Sequence, residues 1–147
     1  MGIVVRPAVP ADLDALVELA AEYCAADGHE FDEPTVRAGF EPLLHDDRYG
    51  IVRLATLDGV IDAYGVVTWG WSIEIGGLDV VLDEIYARTI GRGVGTTLLR
   101  SLEAECRARG VKRIFLETEL PNEAARRLDE REGFLADTSI WMSKELS

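Results

Sequence analysis

The sequence predicts an α/β chain of the mixed α+β kind, in which a mixed central sheet is flanked by helices. Two observations carry that class. Apolar residues recur with a strand-like period in some segments and a helix-like period in others, in the order β-α-α-β-β-β-α-β-α-β-β. In addition, Leu57-Asp58-Gly59 joins two strand-like runs through an Asp-Gly tight-turn signal, which makes those strands an antiparallel hairpin. A sheet that contains such a hairpin and also strands separated by helices is mixed. With 147 residues, the chain is sized for one domain (residues 1–147) that buries a substantial core.

Taken in order, Ile3 to Arg6 reads as a short strand stopped by Pro7 and Pro10. Asp12 opens a helix whose apolar stripe is Leu13, Leu16, Val17, Ala20 and Cys24. A polar turn around Asp27 to Pro34 precedes a weaker helix from Glu33 to about Leu44. Tyr49 to Thr56 and Val60 to Trp69 are the two hairpin strands. Trp69, Trp71 and Gly76-Gly77 suggest an aromatic-rich loop or turn before a strand over Leu78 to Ala87. Strict alternation along that strand puts Val80, Leu82 and Glu84 on one face and Asp79, Val81, Asp83, Ile85 and Ala87 on the other. Leu98, Leu99, Leu102 and Cys106 then mark a long helix that Gly110 is placed to end. A strand over Val111 to Thr118, a helix over Glu123 to Arg131, and strands at Phe134 to Ala136 and Ile140 to Ser143 complete the pattern.

The formal charge of −12 argues against nucleic acid and anionic membrane as partners, since both demand a basic footprint. It suits a cationic substrate, and it equally serves solubility. The longest uncharged stretch, Ala63 to Ile73, is too short to cross a bilayer, and Asp12 and Asp14 interrupt the region where a signal peptide would carry its apolar run. Cys24 and Cys106 have no metal or redox spacing and read as reduced, buried thiols, so a cytoplasmic location is expected. His29 and His45 are not spaced for a metal site either, and no metal is expected; both read as surface residues, with His29 in a loop that could border a substrate mouth.

The strongest local motif is Arg88-Thr89-Ile90-Gly91-Arg92-Gly93-Val94-Gly95-Thr96, between a strand and a long helix. Amides at a helix start lack intrahelical partners, and glycines allow the backbone to approach a phosphate. The loop would suit a pyrophosphate, with Arg92 adding charge. Geometry alone can also make a loop glycine-rich. A P-loop is excluded because no Gly-Lys-Ser/Thr occurs, and a dinucleotide fold is disfavoured because the loop follows four strands, including a hairpin.

These segments together resemble the GNAT superfamily of N-acetyltransferases over essentially the whole chain. IVVRPAVPADLDALVELA is similar to the family's first strand and helix. LDEIYARTIGRGVGTTLLRSLEAECRARGVKRIFLET resembles its acetyl-CoA-binding strand, pyrophosphate loop, helix and next strand. NEAARRLDEREGF is similar to Asn-x-x-Ala-x-x-Leu-Tyr-x-x-x-Gly-Phe, matching at Asn122, Ala125, Leu128, Gly133 and Phe134, and WMSKEL resembles the last strand. The resemblance implies a GNAT-like acyl-CoA N-acyltransferase fold in which the fourth strand splays from the fifth to admit pantetheine. It implies that the backbone of Ile85, Tyr86 and Ala87 holds pantetheine, that the amides of Arg92, Gly93, Val94, Gly95 and Thr96 hold the pyrophosphate, and that Asn122 contacts the cofactor, with Arg126 reaching a phosphate or solvent. The chain departs from the family at Ile90, where the usual loop carries Arg or Gln, and at Asp129, where the usual residue is Tyr. Arg88 is a candidate to replace the missing loop cation.

Acetyl transfer from acetyl-CoA requires a neutral amine, so a base or water chain must deprotonate a group whose pKa is about 10. Asp83 and Glu84 are the nearest carboxylates to the expected acetyl position and are the candidate catalytic pair, as base or amine anchor; alternation lets at most one face the substrate, with Glu84 taking the role if the splayed strand carries a bulge, and solvated strand charges or an ion pair is the alternative. A backbone N–H of the splayed strand would stabilise the oxyanion. With Asp129 in place of Tyr, the proton donor to the thiolate would be Tyr86, Tyr64 or water. Trp69 and Trp71, with Glu74, would either wall a pocket for a cation or pack structurally; Asp79 and Glu74 are further recognition candidates. The expected activity is acetylation of a primary amine by direct transfer, the acceptor being a polyamine, another small cationic amine or a lysine-like peptide amine. A non-catalytic acyl-CoA-binding regulatory domain and a structural partner subunit are the alternatives, and a homodimer is compatible with each.

Overall fold

The computed structural model describes residues 2–117 and 129–147, and the chain divides into two compact units, residues 1–117 and 118–147. In the first unit the elements are β1 (Ile3–Pro7), a short 3-10 turn (Pro10–Asp12), α1 (Leu13–Asp27), α2 (Glu33–His45), β2 (Gly50–Leu57), β3 (Val60–Ser72), β4 (Gly77–Ala87), α3 (Val94–Ala108) and β5 (Arg113–Leu116). The sheet order is β1-β2-β3-β4-β5. The first four strands pair antiparallel, and β4 pairs with β5 in parallel across the α3 connection. The mixed sheet expected from the sequence is therefore present.

Local chemistry fixes the corners. Asp12 does more than open α1: both of its oxygens bind Arg6, at 2.8 and 2.9 Å, and one accepts the Val9 amide at 2.8 Å. This locks β1 to the start of α1. Asp32 caps α2 by accepting the Thr35 amide at 3.1 Å. The β2–β3 hairpin turns through Asp58 (φ 50°) and Gly59 (φ 85°), and the positive φ at both positions is what the Asp-Gly signal predicts.

Two apolar layers cover the sheet. On one face, Leu16, Val17, Leu19 and Ala20 of α1 and Phe40 and Leu44 of α2 pack with Val52, Tyr64 and Val66. On the other, α3 buries Val94, Leu98, Leu99, Leu102 and Cys106. Gly65 lets α3 come close, because a Cβ there would lie 2.6 Å from Leu102 Cδ1.

In the second unit, Asp129 to Arg131 are helical. Phe134 to Ala136 and Ile140 to Ser143, expected as strands, form no strand among the described residues. A β-prone segment becomes a strand only when a neighbouring strand takes its backbone hydrogen bonds, and no strand among the described residues pairs with these two.

Candidate active site

The site grows from an irregularity in β4. Val66 lies opposite Glu84, but the next β3 residue, Val67, lies opposite Leu82, so Asp83 is an extra residue without a partner. Such a bulge shifts the side chains beyond it by one position relative to the partner strand. Strict alternation, which would put Glu84 beside Leu82, does not hold along β4; the bulge weighed from sequence as the condition for Glu84 to act is present. Glu84 shares the face of its β3 partner Val66, and so of Tyr64, under α1 and α2. Ile85 pairs with Gly65 and sits on the α3 side. A residue inserted against the pleat reverses the alternation, and sequence period alone cannot register the insertion.

The bulge also marks where the strands part. β5 pairs with β4 only from Asp79 to Leu82, and among the described residues no strand pairs with the same edge of Asp83 to Ala87. The Arg88 amide donates to the Asp62 carbonyl of β3 at 2.8 Å. Because successive residues turn their backbone groups to opposite edges, Ile85 and Ala87 turn theirs to the open edge and Tyr86 toward β3. An extended chain laid in this gap would meet the backbone groups of Ile85 and Ala87.

At the end of β4 the glycine loop leads into α3. Gly91 and Gly93 take positive φ, 84° and 80°, and Gly93 is the N-cap of the helix, supplying no capping side chain. The Val94, Gly95 and Thr96 amides of the first turn therefore have no intrahelical acceptor and point out of the helix end. Arg92 is exposed beside them. Arg88, expected as a substitute loop cation, is engaged elsewhere: its Nη2 and Nε donate to Glu22 of α1 at 2.6 and 3.0 Å. Ile90 is 91% exposed and contributes no charge. The loop is held from below by Asp62, which is buried and accepts the Thr89 hydroxyl at 2.7 Å and the Thr89 amide at 3.2 Å. The sequence reading missed this anchor, although an acid interrupting the apolar run of β3 was a signal that a partner existed.

Glu84 is half-buried and accepts the Tyr64 hydroxyl at 2.6 Å. Burial raises its carboxyl above the usual range and the charge of Asp83 adds to the rise, while the Tyr64 hydrogen bond and nearby His29 oppose it. Asp83 keeps contact with solvent, yet the surrounding protein displaces enough water to push its carboxyl up as well. Both carboxyls are thus moved toward the range useful to a base at neutral pH. Tyr64, a candidate proton donor from sequence, has committed its hydrogen to Glu84. Tyr86 donates to Glu22 at 3.4 Å. The rings of Tyr23, Tyr64 and Tyr86 line up beside this group, with centroids 6.0 Å apart for Tyr23 and Tyr86 and 6.5 Å for Tyr64 and Tyr86. His29 is exposed and contacts Asp27 at 2.7 Å.

The other candidates do not join this group. Trp69 donates its indole N–H to the Asp47 carbonyl at 2.7 Å, and the Arg109 guanidinium already covers its ring at 4.9 Å. The structure thus gives that ring a cation from the protein itself. Trp71 is 74% exposed near the tip of the β3–β4 hairpin, and Asp79 pairs with Gly70 at the same end. Asn122 and Arg126 lie outside the described residues. Asp129 begins the described part of the second unit, where burial raises its carboxyl. Among the described residues no cluster of His, Cys, Asp or Glu could hold a metal ion, and no helix is long and apolar enough to cross a membrane.

The fold is shared with known proteins. An integron cassette protein from the mobile metagenome of Cole Harbour Salt Marsh superposes with a TM-score of 0.86 at 26% identity, over 97% of this chain and 90% of that one. A ribosomal-protein-alanine N-acetyltransferase from Brucella melitensis gives 0.80 at 21% identity, over 99% and 100% of the two chains. An aminoglycoside N-acetyltransferase in complex with CoA gives 0.82 at 16% identity, over 97% and 94%. Among curated proteins no sequence matches. The Acetyltransferase (GNAT) family profile matches residues 13–134, a span that takes in the bulged strand, the glycine loop and α3. A parted strand pair that opens beside a helix-capping glycine loop is thus found in a chain that belongs to the GNAT family of acetyltransferases.

Proposed function

We propose that this protein is an N-acetyltransferase that moves an acetyl group from acetyl-CoA to a primary amine by direct transfer between two bound substrates. The observation that carries the reading is the bulge at Asp83, which sets two carboxyls with raised pKa values at the point where β4 leaves β5. In this reading the open edge at Ile85 and Ala87, with Tyr86 between them, receives pantetheine. The amides from Arg92 through Thr96 bind the pyrophosphate. A backbone amide of the splayed segment stabilises the oxyanion. Glu84, with Asp83 beside it, takes the proton from the acceptor ammonium so that a neutral nitrogen attacks the thioester carbonyl; the C–S bond then breaks, and the CoA thiolate leaves and takes up, through water, the proton that the new amide nitrogen sheds.

The acceptor is a cationic amine. Glu84 lies beside the Tyr64 and Tyr86 rings with Asp83 as its charged neighbour, and Asp27 lies at the Tyr23 and His29 side, while Glu22 and Arg88 offset each other's charge. Carboxylates and aromatic faces together favour an organic cation. An aminoglycoside acetyltransferase among the structural neighbours was solved with sisomicin, which is a precedent for that chemistry in this fold.

Release of free CoA from acetyl-CoA, measured against a panel of polyamines, aminoglycosides, lysine peptides and neutral amines with a no-amine control, tests the proposal. Amine-dependent release is the expected result. Calorimetric binding of acetyl-CoA with no turnover on any amine would instead favour a non-catalytic acyl-CoA-binding domain. Absence of both binding and release would overturn the donor assignment.

A further inference from the structure

We propose that Tyr64 is the positioning residue of the acceptor site, its buried hydroxyl holding the Glu84 carboxylate in the orientation in which it receives the acceptor's proton. This rests on the reading of Glu84 as base and adds a residue that the motifs of the chain do not mark.

The geometry is specific. Tyr64 is fully buried, its ring stands edge-on to Phe40 with centroids 5.6 Å apart, and its hydroxyl reaches Glu84 Oε1 at 2.6 Å. Only the bulge makes this contact possible: with unbroken alternation Glu84 would lie on the α3 side, across the sheet from Tyr64. A hydroxyl on a fixed ring leaves the acceptor oxygen little freedom, and the second carboxylate oxygen remains to meet an ammonium. Burial and the charge of Glu84 raise the phenol well above its usual range, so Tyr64 stays a donor at every working pH.

Glu84 has other charged and titratable neighbours. Asp83 lies beside it on β4, Cys24 approaches from α1, where Tyr23 lies near Tyr64, and His29 comes from the loop after α1. Among these contacts, the Tyr64 hydroxyl makes the bond that favours the ionised carboxylate directly. In turnover the ammonium proton passes to a Glu84 oxygen, leaving R–NH2 and a neutral carboxyl, and the proton then leaves to water.

The test is Tyr64→Phe, which keeps the ring and deletes the hydroxyl. The Glu84 carboxyl is followed by carbon-13 NMR across pH, and CoA release is measured on the same protein. Expected is an upward move of the Glu84 titration by about one to two pH units, as loss of one hydrogen bond to a charged group implies. The acidic limb of kcat/KM should move up by the same amount, with little change in KM for acetyl-CoA. Phe40→Leu, which loosens the packing and keeps the hydroxyl, should lower stability without moving the titration. An unmoved Glu84 titration in Tyr64→Phe, with Glu84→Gln inactive, overturns the role of Tyr64 alone. Wild-type CoA release by Glu84→Gln overturns the base assignment and, with it, any role for Tyr64 in turnover.

Discussion

Glu22 on α1 and Arg88 at the end of β4 meet side-on through two hydrogen bonds, at 3.0 and 2.6 Å. The pair ties the acceptor-side helix to the strand that leads into the glycine loop. Both side chains remain partly in water, with 32% and 40% of their areas exposed. Arg88→Ala should therefore lower unfolding stability by less than about 1 kcal/mol, and by less still at high salt. Acetyl-CoA affinity should stay within about threefold, less than the tenfold that 1.4 kcal/mol represents. Urea unfolding and calorimetry measure the two effects; a tenfold loss of affinity would instead place Arg88 on the phosphate.

Gly93 should respond differently. Its φ of 80° is the left-handed conformation, and it orients the first amides of α3. Gly93→Ala carries a conformational cost of about 1–2 kcal/mol. Relieving that strain turns the open amides away, so acetyl-CoA affinity should fall about tenfold or more. Calorimetric titration of the folded variant reads this directly, and unchanged affinity would remove the helix end from the donor site.

Two glycines predict opposite signs of the same substitution. A Cβ on Gly39, in the middle of α2, meets nothing within 4 Å, so Gly39→Ala should stabilise the protein by about 0.5–1 kcal/mol through helix propensity. A Cβ on Gly50 would strike the Val67 carbonyl and lie 2.9 Å from Thr68 Cα, both backbone of the paired strand. Gly50→Ala should cost about 2–3 kcal/mol, because β2 must move off β3. Thermal and denaturant unfolding of the two variants gives the comparison.

The Arg6–Asp12 contact makes stability depend on pH. Arg6 holds the Asp12 carboxyl below its ordinary range, aided by the Val9 amide, while burial opposes them. A depressed folded-state pKa contributes stability above the unfolded value of about 3.9 and loses it as pH falls through the folded value. Asp12→Asn should cost about 1.5–3 kcal/mol at pH 7, the range for a hydrogen bond to a charged group. The deficit should shrink below about pH 4 and be smallest in strong acid. A deficit that stays constant from pH 7 to 2.5 would show that the lost shape of the corner, rather than the charge, is what matters.

The sequence by itself determined the local elements of the first unit. Helices α1 to α3 and strands β1 to β4 lie within a few residues of where periodicity puts them, because a helix stripe and a strand alternation are written in neighbouring residues. The Asp58-Gly59 turn and the glycine loop were equally legible, since a positive φ demands a particular residue type at that position. The family motifs around them carried the fold class and the expected donor loop. Tertiary structure decided what depends on a partner distant in the chain. The bulge at Asp83 exists only against β3, so alternation read along β4 alone sent Glu84 to the wrong face. Arg88 was free to serve as a loop cation until α1 brought Glu22 to it, and Trp69 was open to a ligand until α3 laid Arg109 over its ring. The last strands expected from sequence lack a ladder among the described residues. A strand, a bulge and an ion pair are properties of two segments at once, and one segment's residue pattern specifies only its own half.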